Sequence, residues 1–260
     1  MAKSRQLKFL VLLVAAVGLL LLPEIMAVLA RPRDEAWARV EQADAIRFAI
    51  NPTSMPFDGL GSHGDFFGLD VDLANELARR LGKRAEFVIA GYDSLYDVLR
   101  VGQAEATISA LPIDPEKLDG WAYSEPYFEA GQVMVGRLPE PEKTSAVSIA
   151  VEYGSAADIA ARYLARRRAG LEIKYTSSAA DALKAVVNGW SAAALIDGVS
   201  AKQLLPQFPD LQIVEQVTST PYAIAVWGES GQLLAAINAK LAEMKRDGTI
   251  QRMVEEWMRK

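Results

Sequence analysis

Across residues 68–82, apolar side chains fall at 73, 74, 77, 78 and 81, the three- and four-residue spacing of one buried helical stripe. Asp70 and Asp72 sit where carboxylates favour a helix N-terminus, and Gly82 sits where a left-handed cap is wanted. The spacing therefore predicts a helix over 71–81, followed by a short apolar strand over 85–89. The same alternation continues. Before it comes a strand at 46–50, whose loop is stiffened by Pro52 and Pro56; after it come a helix at 94–101 and a strand at 106–111. Residues 112–117 read as a turn into a short helix, with Asp114 as cap and Pro115 at the first helical position, and 133–135 as a strand.

A second series starts at Val147, with strands at 147–151, 172–175, 192–196 and 211–214 and helices at 156–168, 179–188 and 199–205. A last strand, 221–226, leads to a helix at 232–245 and a final one with Ile250, Met253, Val254, Trp257 and Met258 on one stripe. Strands alternating with helices imply an α/β chain of mostly parallel sheets covered on both faces. A length of 260 residues suits two lobes, each of roughly 100 residues. The proline- and glutamate-rich stretch 138–143 is the best linker between them.

The N-terminus has a different pattern. Lys3, Arg5 and Lys8 precede residues 9–22, which carry no polar side chain, and this is the form of an export signal. Extending the run to Ala30 reaches a membrane-spanning length but encloses Glu24, and a charge near the centre of a span costs about 3 kcal/mol. Residues 28–30 offer a cleavage site that Arg31 and Pro32 make imperfect. Residues 1–30 are therefore a signal peptide or an N-terminal membrane anchor, and 31–44 reads as a polar, partly helical linker.

Composition narrows the chemistry. A net charge of −5 without a long basic stretch argues against nucleic acid. With no cysteine, disulfides, thiolate catalysis and a lipoprotein thiol are excluded. Neither common phosphate loop is present. His63, the one histidine, lies in the loop 59–64 without metal-ligand spacing, so neither metal nor cofactor is expected. Arg166, Arg167 and Arg168 read as a solvated helix end, and Asp70 and Asp72 as structural carboxylates.

Four ordered segments carry a family resemblance. They are Gly68-Leu69-Asp70-Val71-Asp72-Leu73, then Ala122-Tyr123-Ser124-Glu125-Pro126-Tyr127-Phe128, then residues 221–226, and last residues 241–250. Together they resemble the bacterial extracellular solute-binding proteins of family 3, which feed polar amino acids to ABC importers. The resemblance implies a two-lobed periplasmic-binding-protein-like fold of type II, hinged by two crossover segments. Lobe 1 would be 45–137 plus 220–260, and lobe 2, with the hinges, 138–219. A ligand would lie in the cleft, and the lobes would close over it.

An enclosed α-amino acid needs a cation, an anion and several hydrogen-bond partners. By resemblance, Lys117 takes the place of the family's carboxylate-clamping arginine and Asp197 that of its ammonium-binding carboxylate. Ser109, Ala110 and Pro112 match the ligand-binding strip, with only the first serine kept. Ser155 and Ala156 match the anion-binding turn of the second lobe. Tyr92 falls where an aromatic stacks on the ligand, and Ser54 where many members carry a second one. Lysine binds a carboxylate as a point charge, without the fork of arginine.

The reading is an extracytoplasmic receptor for an amino acid or related small zwitterion or anion, monomeric, partnered by an importer permease. Two alternatives stay open. One is a membrane-anchored sensing module. The other is an enzyme resembling the cyclohexadienyl and arogenate dehydratases, whose general acid would have to be Glu129, Glu152 or Asp197.

Overall fold

The computed structural model describes residues 34–117, 120–137 and 148–259, and for Lys117 the backbone alone. The expected export segment 1–30 and the linker 138–143 lie outside the described residues. Among the described residues no helix is long and apolar enough to cross a membrane.

The chain opens with α1 (Glu35–Gln42), β1 (Ala45–Ile50) and a hairpin of β2 (Gly59–Leu60) and β3 (Phe66–Phe67). Then come α2 (Leu69–Arg80), β4 (Arg84–Ile89), α3 (Asp97–Arg100), β5 (Ala106–Thr107) and β6 (Trp121–Tyr123). A middle part holds β7 (Phe128–Glu129), β8 (Gln132–Gly136), β9 (Ser148–Glu152), α4 (Ala156–Arg167) and β10 (Glu172–Thr176). It ends with α5 (Ala179–Val187), β11 (Ala193–Asp197), α6 (Gly198–Leu204) and β12 (Gln212–Gln216). The return is β13 (Pro221–Tyr222), β14 (Ala225–Trp227), α7 (Gly231–Arg246) and α8 (Thr249–Met258).

Two five-stranded sheets result, ordered β4-β1-β5-β14-β6 and β10-β9-β11-β8-β12. In each, three strands run parallel, the fourth is antiparallel, and the fifth returns to the common direction. The antiparallel strand, β8 or β14, is the one that follows a crossing between lobes. Alternation along β1 explains the double cover: Ile46 and Phe48 enter one core with α2, α7 and α8, and Ala49 enters another with Leu95 and Leu99. Burying a side chain such as Phe48 contributes about 1.5–3 kcal/mol. The second sheet is likewise covered, by clusters holding Leu183 and Val186 on one face and Ala157 and Ala161 on the other.

Several boundaries differ from expectation. The strand expected in lobe 1 at 133–135 is β8, buried along its whole length between β11 and β12, so lobe 2 begins just before it rather than at 138. The strand expected at 106–111 ends early because Ala110 turns left-handed, with φ 44°. The helix expected at 94–101 is a 3-10 turn at Tyr92–Ser94 followed by one turn of α3. The strand expected at 221–226 splits: β13 pairs with β7 at the crossing and β14 enters the first sheet.

The polar linker expected at 31–44 contains α1, which buries Ala36 and Val40 in the lobe 1 core. Asp34 holds it there. One carboxylate oxygen accepts from Trp37 N at 2.8 Å, capping α1, and the other accepts from Gln232 N (2.8 Å) and Leu233 N (3.1 Å), capping α7. Asp70 and Asp72 do not cap α2, whose N-cap Gly68 has no side-chain bond. Asp72 accepts from Trp257 Nε1 at 2.7 Å and ties α2 to α8.

Candidate functional site

Open α/β sheets place ligands beyond the carboxyl ends of their parallel strands. Here β1, β4 and β5 of lobe 1 run out into residues 51–58, Tyr92 and residues 108–117, while β9 and β11 of lobe 2 run out into residues 153–155 and Asp197. Eight of the nine candidate side chains are described; seven lie on these five strand ends, and Ala156 follows the end of β9 as the first residue of α4.

In lobe 1, Tyr92 is 49% exposed. Burial pushes its hydroxyl above the ordinary value, and neighbouring Tyr123, Asp114 and Asp93 add to the shift. The hydroxyls of Tyr96 and Tyr123 lie 2.7 Å apart behind it. Ser54 donates its backbone N–H to Asp58 at 2.8 Å, and its hydroxyl makes no hydrogen bond among the described residues. Ser109 is 0% exposed, and its hydroxyl donates to Asp58 at 2.6 Å and accepts from Asn51 N at 3.0 Å, so it is held from inside lobe 1. Burial raises the Asp58 carboxyl, and the bonds from Ser109, Ser54 and Thr53 offset this only in part. Pro112 bridges to Tyr222, and Ile113 N donates to Pro221 O at 3.0 Å, so the strip is anchored to β13. Lys117 ends the 3-10 turn Pro115–Lys117, and its side chain lies outside the described residues.

In lobe 2, Ser155 caps α4. Its hydroxyl accepts from Asp158 N at 3.2 Å and donates to Glu152 O at 2.8 Å, so it is spent within the turn. Ala156, the first helical residue, is exposed. Asp197 caps α6 by accepting from Ser200 N at 2.8 Å with one oxygen, and its other oxygen has no hydrogen bond among the described residues. Gly198 fixes this corner, donating to Gly131 O at 3.0 Å; a Cβ there would stand 3.0 Å from Glu129 O and 3.1 Å from Gly131 O.

The crossings join the two walls. Glu129 accepts from Gly131 N (2.8 Å), Thr220 N (2.6 Å) and the Ser219 hydroxyl (2.7 Å). Burial raises its carboxyl, but these bonds and Lys202 outweigh it and leave the value lowered. Glu129 thus fastens the two crossing segments to each other. Gly131 admits the approach of the two segments, since a Cβ would overlap the Thr218 carbonyl. Tyr222, on the second segment, was not expected at the site. Burial raises its hydroxyl, and the nearby charges of Tyr92, Asp70, Asp197 and Glu129 raise it further. Its ring stacks on Phe128 and meets Phe57 edge-on. The signal in the sequence was the Pro221-Tyr222 pair at the point where the chain returns.

The arrangement offers an acidic lip, a half-exposed ring and a hinge tyrosine, which suits a cationic or zwitterionic small molecule. Among the described residues no group of acidic or histidine side chains could hold a metal. Two hollows, of about 350 Å³ beside Arg39 and Glu105 and about 520 Å³ beside Lys174 and Trp190, lie away from the strand ends and contain none of the candidates.

Known proteins share this architecture. Residues 46–260 match the model of the bacterial extracellular solute-binding proteins, family 3. ABC transporter arginine-binding protein 1 of Escherichia coli (strain K12) is 27% identical over 225 residues, which is 83% of this chain and 91% of that one. An ancestral cationic amino acid solute binding protein, 26% identical, superposes with a TM-score of 0.61 over 86% of this chain and 100% of its own. The L-cystine solute receptor of Neisseria gonorrhoeae, in its unliganded open conformation, shares the fold with a TM-score of 0.71 at 22% identity, over 85% of this chain and 95% of its own. The matched model spans both sheets and both crossings, so the chain belongs to the bacterial extracellular solute-binding proteins of family 3.

Proposed function

We propose that this protein is the receptor of an ABC importer and takes an α-amino acid between its lobes. The observation that carries the reading is Asp197. It stands at the carboxyl end of a buried strand, keeps one carboxylate oxygen unbonded among the described residues, and lies close enough to Tyr222 to act on it electrostatically. That oxygen is the acceptor for the ligand ammonium. Lys117 is the cation for the ligand carboxylate. Tyr92 is the ring on which the ligand side chain rests.

Within this class a cationic side chain fits best. Tyr92 is half exposed and Asp114 is near enough to raise its hydroxyl, and a cation is favoured by both an aromatic face and a carboxylate. The E. coli relative is named for arginine, which supports the same choice. Ligand binding would shift the balance between open and closed lobes by its differential affinity for the two.

Titration calorimetry tests the reading with L-arginine, L-lysine, L-cystine, and agmatine, which lacks the carboxylate. L-Arginine or L-lysine should bind, and agmatine should bind far more weakly. Asp197→Asn should weaken both amino acids about tenfold or more, the scale of one lost charge-assisted bond. No heat with any of the three amino acids would refute the ligand class. Unchanged affinity in Asp197→Asn would refute the ammonium site.

A further inference from the structure

Two consecutive residues of the lobe 1 wall are each held from behind by a buried aspartate. Asp58 takes the Ser109 hydroxyl, and Asp70 takes the backbone N–H of Ala110. Both carboxylates are 0% exposed. Ala110 needs the support, since it has φ 44° without being glycine, a conformation disfavoured for an L residue. A buried acceptor aimed at its N–H offsets that cost only while the acceptor stays in place.

Among the described residues the other oxygen of Asp70 has no hydrogen-bond partner, nor has the Tyr127 hydroxyl, and both atoms are buried. The two groups perturb each other, so they are neighbours. Tyr127 belongs to the first crossing, where its backbone N–H donates to Tyr222 O at 2.9 Å. We infer that Asp70 is the positioning residue of the ligand-facing strip, holding Ala110 in its left-handed turn and joining that turn to the first crossing through Tyr127. A small rotation of the tyrosine completes an O–H···O bond between the two unpartnered atoms. Whatever moves the crossing then moves the strip.

The groups acting on Asp70 are consistent with a largely neutral acid. Asp58 comes from the loop after β1, Tyr127 from the crossing and Tyr222 from β13, while Asp72 on the same helix is turned away to Trp257. None of these supplies a cation. Burial pushes the Asp70 carboxyl up to about 8, against the Ala110 and Tyr127 interactions that favour its charged form. A neutral acid keeps an acceptor for Ala110 and has a proton to offer the tyrosine.

The inference rests on the proposed function only in taking this strip to face the ligand, and one arm of its test needs no ligand. That arm is amide exchange and the ¹⁵N–¹H resonance of Ala110 in wild type, Asp70→Asn and Asp70→Leu. Asparagine retains an acceptor and should keep Ala110 protection within about threefold, whereas leucine should speed its exchange tenfold or more, with core amides of β1 and β4 unchanged. The Ala110 resonance should titrate in wild type and lose that step in Asp70→Asn, a readout that survives even if the leucine variant does not fold. The second arm is the L-arginine Kd, which should rise about tenfold in Asp70→Leu and stay near wild type in Asp70→Asn. Wild-type Ala110 protection in Asp70→Leu, asparagine as damaging as leucine, or an unchanged titration in Asp70→Asn would each overturn the inference. Failure of wild type to bind L-arginine speaks only to the proposed ligand and leaves the Ala110 arm decisive.

Discussion

Glu129 on the first crossing and Thr220 on the second, 91 residues apart in sequence, meet through a 2.6 Å bond from the Thr220 amide to the Glu129 carboxylate. With Gly131 N and the Ser219 hydroxyl on the same side chain, one residue ties the two strands of the hinge. Glu129→Ala should cost about 2 kcal/mol at neutral pH, the scale of lost bonds to a charged acceptor. The carboxyl is lowered in the folded state, so its contribution is present above the ordinary carboxylate value and fades as pH falls through the folded one. Urea unfolding at pH 7 and pH 3 checks this: the gap between wild type and variant should narrow in acid.

Asp70 reverses that sign. Its folded value of about 8 lies far above that of an unfolded aspartate, so the folded state holds a proton that the unfolded state has released. Stability due to this group is complete in acid and drains away as pH rises from about 4 to about 8, by at most about 1.4 kcal/mol per unit. Asp70→Asn should therefore flatten the fall of Tm between pH 5 and pH 9. A wild-type slope retained in the variant would assign the effect to Asp58 instead, whose carboxyl is also raised.

Gly198 offers a probe that leaves the chemistry of Asp197 untouched. An added Cβ would press on the carbonyls of Glu129 and Gly131, and the strand end must move to relieve it. Overpacking of this kind costs about 1–3 kcal/mol. Gly198→Ala should weaken L-arginine binding several-fold with a smaller effect on Tm, because the shift falls on Asp197 first. Calorimetry and thermal unfolding of the same sample separate the two effects.

Removing the Asp34 side chain should uncap two helices at once. Asp34→Ala is expected to cost about 2 kcal/mol, roughly one cap at each helix. Urea unfolding measures the loss, and Asp34→Asn, which keeps its acceptor oxygen, should recover part of it.

The alternation of strands and helices was legible because each sheet is covered on both faces, which leaves long apolar runs in the sequence. The strip at 109–112 lies just past the end of β5 in lobe 1. The direction of its side chains was not legible. Ser109 turns inward to an aspartate 51 positions away, and Asp70 meets an amide 40 positions away, so nothing local to either segment reveals the contact. The same holds for Asp72, which reads as a helix-end carboxylate until Trp257 arrives from 185 positions on. Tyr222 falls within the 221–226 motif, yet the sequence does not mark it as a site residue, because a crossing strand of two residues has no periodicity of its own.

The double cap made by Asp34 has a mechanical side. A pull applied through the N-terminal end of α1 is delivered to the start of α7 and the core of lobe 1, bypassing Glu129 and both crossings. Lobe 1 is therefore the frame against which such a load is borne.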